Sequence, residues 1–144
     1  MFGRKTKEQK EIEHKQKMQE LEKKGLVYYT KYLGGLKRFP KEQHAKIIIY
    51  PDRVELQPMN VRIPYTHLKN IESIHGGKKI DSDRVFATGV IGLLWQKNRL
   101  NTILEYTDDL GESQTLVLDL LENVKYIQPR IYDHMINSKL SPND

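Results

Sequence analysis

The chain ends on its most constraining feature. Strand-like segments give way to one amphipathic helix, Leu120 to Lys139, opened by Asp119 with Glu122 three residues on. Carboxylates at that spacing accept free backbone N–H groups of a first helical turn, a capping-box-like start. At about 100° per residue, Leu120, Leu121, Val124, Ile127, Ile131 and Met135 fall on one face. Glu122, Tyr126, Arg130, Asp133 and Asn137 lie opposite. Pro129 sits inside the helix and removes a hydrogen bond to the Lys125 carbonyl. It projects from the polar side, and burying the apolar face at about 1.5–3 kcal/mol per side chain outweighs a proline cost of roughly 3 kcal/mol. Such a helix after a series of strands predicts a β-sandwich or β-barrel stoppered by its last segment.

The strands are read from alternation and turn residues. Leu26–Leu33 is a first strand ended by Gly34-Gly35, and Ala45–Tyr50 is a second, followed by the turn residues Pro51-Asp52. Arg53-Val54-Glu55-Leu56-Gln57 alternates, which turns Val54 and Leu56 toward a core. Pro58-Met59-Asn60 breaks that strand. Val61, Ile63 and Tyr65 alternate again, and the run through Ile71 and Ile74 either continues or restarts it. Thr102–Thr107 and Gln114–Leu118 make a hairpin around Asp108-Asp109-Leu110-Gly111-Glu112. About seven strands precede the helix.

Arg4 to Lys24 is almost all charge and glutamine, with Gly25 as a natural helix stop. Pairs such as Glu11–Lys15, Glu13–Lys17 and Glu20–Lys24 add a few tenths of a kcal/mol each. The stripe His14, Met18, Leu21 is too thin to dock firmly, so the segment reads as a solvated helix or, equally, a frayed extension. This divides the chain into a charged extension over 1–25, one domain over 26–140 and a tail over 141–144.

The Gly34-Gly35 strand end, the Ile47–Glu55 hairpin, Val61–Tyr65 leading into Ile71–Ile74, Gly89–Trp95, Leu104-Glu105-Tyr106 and the capped helix follow one another in a known order. Over Leu26 to Ile136 the chain resembles the short bacterial and archaeal pleckstrin-homology-like (PH/GRAM-like) domains. The resemblance implies a mainly β fold: a partly open barrel of about seven antiparallel strands, in two packed sheets, capped by the C-terminal helix. It also implies a non-enzymatic scaffold for a lipid headgroup, a peptide or a protein. Fold alone does not choose among these.

The residues contain no recognisable active site. There is no cysteine, which excludes disulfides and thiolate chemistry and suits a reducing cytoplasm. His14, His44, His67, His75 and His134 show no helical metal-site spacing. Ser73, Ser82 and Ser113 lack a nucleophile elbow, and Gly76-Gly77-Lys78-Lys79 lacks the phosphate-loop spacing. No metal or other cofactor is expected. The charged N-terminus has no signal-peptide core, and no segment approaches the ~20 apolar residues of a membrane span.

A net charge of +5 permits an acidic partner. By resemblance, Lys37, Arg38 and Lys41 occupy the loop that meets phosphates in lipid-binding members, and Lys78 and Lys79 form a second basic loop. At about 1 kcal/mol per cation, five of them hold an anionic membrane only in the millimolar to sub-millimolar range. If the acidic Asp108–Glu112 hairpin lay beside the basic loop, it would repel a polyphosphate. The apolar stretch Val85 to Trp95 has three readings: a core strand, which is favoured, a membrane-dipping loop with Leu94 and Trp95 at the interface, or an oligomer contact. Tyr28, Tyr29, Tyr32 and Phe39 interleave with Lys31, Lys37 and Arg38 as a nucleic-acid stacking surface would, but Glu8, Glu11, Glu13, Glu20 and Glu22 argue against a polybasic arm. The leading expectation is a cytoplasmic module for a protein or peptide partner, homo-oligomers included, with Tyr126 as a contact. Peripheral binding to anionic membranes is the alternative.

Overall fold

The computed structural model describes residues 6–75 and 100–140. Seven strands form one antiparallel sheet: β1 (Leu26–Gly34), β2 (Gln43–Ile49), β3 (Arg53–Gln57), β4 (Val61–Pro64), β5 (Leu68–His75), β6 (Leu100–Thr107) and β7 (Ser113–Asp119). Helix α1 (Lys7–Lys24) precedes them and α2 (Val124–Leu140) follows. The spatial order is β4-β3-β2-β1-β7-β6-β5.

That order sets the shape. β4 and β5 are the two edges of the sheet, yet only Tyr65-Thr66-His67 separate them in the chain. Three residues reach at most about 11 Å. In a flat sheet with strands ~4.8 Å apart, the edges would stand roughly 29 Å from each other. The sheet therefore curls until its edges meet at one end. Among the described residues no ladder joins β4 to β5, so the barrel stays open.

The result is the partly open, mainly β barrel with a C-terminal helix that the resemblance implies, built as one continuous sheet rather than two separate ones. β1 makes this so. It pairs with β2 from Leu26 to Tyr32 and with β7 from Lys31 to Gly34, shifting register between Tyr32 and Gly34. Gly35, at φ 111°, then lies so close to β7 that a Cβ would run into the Thr115 carbonyl. The run from Val61 to Ile74 restarts rather than continues: Pro64 has no N–H to donate and ends an edge strand.

Inward residues of alternate strand positions fill the barrel, among them Ile47, Ile49, Val54, Leu56, Leu104 and Leu118. Helix α2 closes it with Ile127, Ile131 and Met135, four residues apart and all buried, while Pro129 faces solvent. The start of this helix departs from expectation. Strand pairing holds Asp119 opposite Lys31, so the chain must reverse direction abruptly to lay α2 across the opening. Leu121 takes φ 58° and begins a 3₁₀ turn, Leu121–Asn123, and Asp119 Oδ1 accepts its N–H at 2.9 Å. Leu121 is thereby exposed rather than on the buried face, and Glu122 is exposed without completing a capping box.

Helix α1 starts at a genuine capping box, Thr6 with Gln9, and is exposed along nearly its whole length. Only Glu22 is buried.

If α2 is the stopper, Ile131→Ala should cost about 3 kcal/mol in urea unfolding. Ile12→Ala, on the exposed face of α1, should stay within about 0.5 kcal/mol. Equal small effects would show that α2 does not close the core.

Candidate functional site

Two turns face each other across one cleft. The first is Leu36-Lys37-Arg38-Phe39, closed by the Phe39 N–H donating to the Leu36 carbonyl at 3.0 Å. Leu36 is buried and Phe39 packs on the core, so the two central residues, Lys37 and Arg38, are thrust outward. Tyr32 braces this turn from inside. Its hydroxyl donates to the Phe39 carbonyl at 2.6 Å and accepts from the Leu36 N–H at 2.9 Å.

The second turn is the β6–β7 hairpin. The Gly111 N–H donates to the Asp108 carbonyl, and Gly111 has φ 80°. The Asp108 carboxylate accepts from the Leu110 and Glu112 N–H groups through Oδ1 and from Gln114 Nε2 through Oδ2. The Gln114 amide first, then those backbone N–H groups, hold its carboxyl below the usual carboxylate range. Asp108 is therefore occupied in shaping the hairpin, while Asp109 and Glu112 are exposed and Leu110 is 85% exposed.

Between these turns lies a cleft of about 410 Å³, lined by Lys37 and Arg38 on one side and Asp108, Asp109 and Glu112 on the other. Tyr106 lies in its wall. Burial pushes the Tyr106 phenol up to about 12, with the Asp108 carboxylate adding to the shift and the Arg38 guanidinium opposing it. One ring thus feels both lips. The acidic hairpin does lie beside the basic loop, the arrangement that repels a polyphosphate.

The other expected positions are dispersed. Lys41 is exposed but does not line the cleft. Tyr126 is exposed and lines a separate groove between α1 and α2. Lys78, Lys79, Leu94, Trp95 and the whole Val85 to Trp95 stretch lie outside the described residues. The interleaved aromatics do not form one stacking platform: Tyr32 is fully buried and Tyr28 packs on the core. Tyr29 alone stands clear, with the Lys46 ammonium 5.6 Å from its ring centre. Strand parity separates them, since positions 28 and 32 point inward and 29 outward. Among the described residues no group of three or more His, Asp or Glu could hold a metal ion.

Neither a protein-family model nor a curated protein sequence matches this chain. Its functional reading therefore rests on the cleft itself.

Removing the Tyr32 hydroxyl in Tyr32→Phe leaves the buried Leu36 N–H without its acceptor and should cost about 1–3 kcal/mol in urea unfolding. Burial also raises the phenols of Tyr32 and Tyr65. A phenol kept protonated by the fold stabilises it below the unfolded value of about 10, and that contribution disappears as pH rises through the folded value. Stability should fall from about pH 10 upward, and Tyr106→Phe should make that fall shallower, as read from urea midpoints along a pH series.

Proposed function

We propose that the protein is a non-enzymatic interaction module of pleckstrin-homology-like type, whose cleft binds a peptide segment of a partner protein, another copy of the chain included. The observation that carries this reading is the opposition of charge across the cleft: three carboxylates face two cations. Each cation would contribute about 1 kcal/mol toward an anionic headgroup, and the carboxylates more than offset the pair. A peptide carrying both signs of charge meets no such repulsion. Its backbone can also use the polar lips, and exposed Leu110 offers an apolar contact.

Both lips are held by hydrogen bonds before any ligand arrives, which lowers the ordering cost of binding. No described helix is long and apolar enough to cross a membrane. Separately, a chain without cysteine suits a module working in a reducing cytoplasm.

Selection of short phage-displayed peptides against the full chain should enrich sequences that carry both an acidic and a basic residue. Lys37→Glu combined with Arg38→Glu should weaken the selected peptides about tenfold or more. Phosphatidylserine-rich vesicles at low salt should float without the protein. Vesicle binding that the same double substitution abolishes would replace this reading with the membrane one.

A further inference from the structure

A second charged site lies away from the cleft and shares no residue with it. Glu22, in the last turn of α1, is 4% exposed. Its Oε2 accepts from Arg130 Nη1 at 3.0 Å, and its Oε1 pairs with His134 Nε2. Arg130 and His134 stand four residues apart on α2, so they share one face of that helix.

The receiving side is built into the barrel. The His134 ring stacks on Tyr65 with centroids 4.5 Å apart, and the Tyr65 hydroxyl donates to the Tyr50 carbonyl at 2.6 Å. Tyr65 belongs to the three-residue link between the sheet edges and is itself buried.

The supplying side is different. Helix α1 brings almost no apolar surface: Met18 is half-buried, while Ile12 and Leu21 are exposed. It is joined to β1 through Gly25 alone, at φ 99°. A helix fixed for stability alone would bury an apolar stripe. The buried Glu22 carboxylate ties it to α2, and beside that contact a groove of about 510 Å³ continues along α2 past Tyr126, Asp133 and Asn137.

We propose that Arg130 and His134 form a carboxylate-binding site, filled in the resting chain by its own Glu22, which takes an acidic side chain of a partner protein when α1 is displaced. Two donors, one for each oxygen, match a carboxylate. A phosphate dianion would need more donors. Helix α1 then acts as a ligand mimic supplied in cis, with an advantage over outside ligands set by its short tether.

The test is chemical complementation in the full chain. Glu22→Ala should melt below the wild type in sodium chloride. Sodium acetate at equal concentration should restore most of that loss, while moving the wild type little. Adding Arg130→Gln should abolish the restoration. A glutamate oligopeptide should bind Glu22→Ala, and the conservative Glu22→Gln, about tenfold tighter than the wild type. Acetate acting equally on wild type and Glu22→Ala would overturn the proposal. So would a glutamate oligopeptide that gains nothing from either substitution.

Discussion

Everything in this fold follows from how little chain joins the two edges of its sheet. Because Tyr65-Thr66-His67 must bridge β4 to β5, seven strands cannot lie flat, and the curl creates an interior that alternate residues can fill. Among the described residues no ladder joins the two edges, so the barrel stays open there. An amphipathic helix is then needed over the opening, and Ile127, Ile131 and Met135 supply it. Tyr65 ties these levels together: it sits in the link, bonds the β2–β3 turn and supports His134 on the closing helix.

Much of this was legible in the residues. Alternation at Arg53–Gln57 and Val61–Ile63 marked two strands, and fourfold spacing marked the buried stripe of α2. Turn chemistry placed the β6–β7 hairpin. Leu121 was not legible, because a leucine at positive φ has no signature; the reversal there is imposed by where β7 and α2 must go. Tyr32 interleaves with lysines in the sequence as part of a stacking surface would, but β1 turns it inward and the barrel buries it completely. Glu22 lay inside a uniformly charged helix, and its partner Arg130 is 108 residues away, so no local pattern could connect them.

The cleft shows the same division between composition and placement. The charges of Lys37, Arg38, Asp109 and Glu112 are obvious in the sequence, but their opposition depends on β1 lying beside β7 and β7 beside β6. Once the strand order is known, the basic loop ceases to be a simple anion site. Tyr32 beneath one turn and Asp108 within the other keep both lips in place. The pair behaves as one shaped surface rather than two solvated loops.

The junction at Gly25 has a mechanical side. A side chain there would press within 2.7 Å of the Ile48 Cγ2 atom, so only glycine lets α1 leave the sheet at this angle. The 18 residues of α1 form a rod of about 27 Å. Pivoted at one end and pinned one turn from that pivot, the rod is a lever with a very short arm on the pinned side. A tilt of about 10° that barely disturbs the pin would carry the far tip roughly 5 Å, magnifying a small local event into a large excursion of charge.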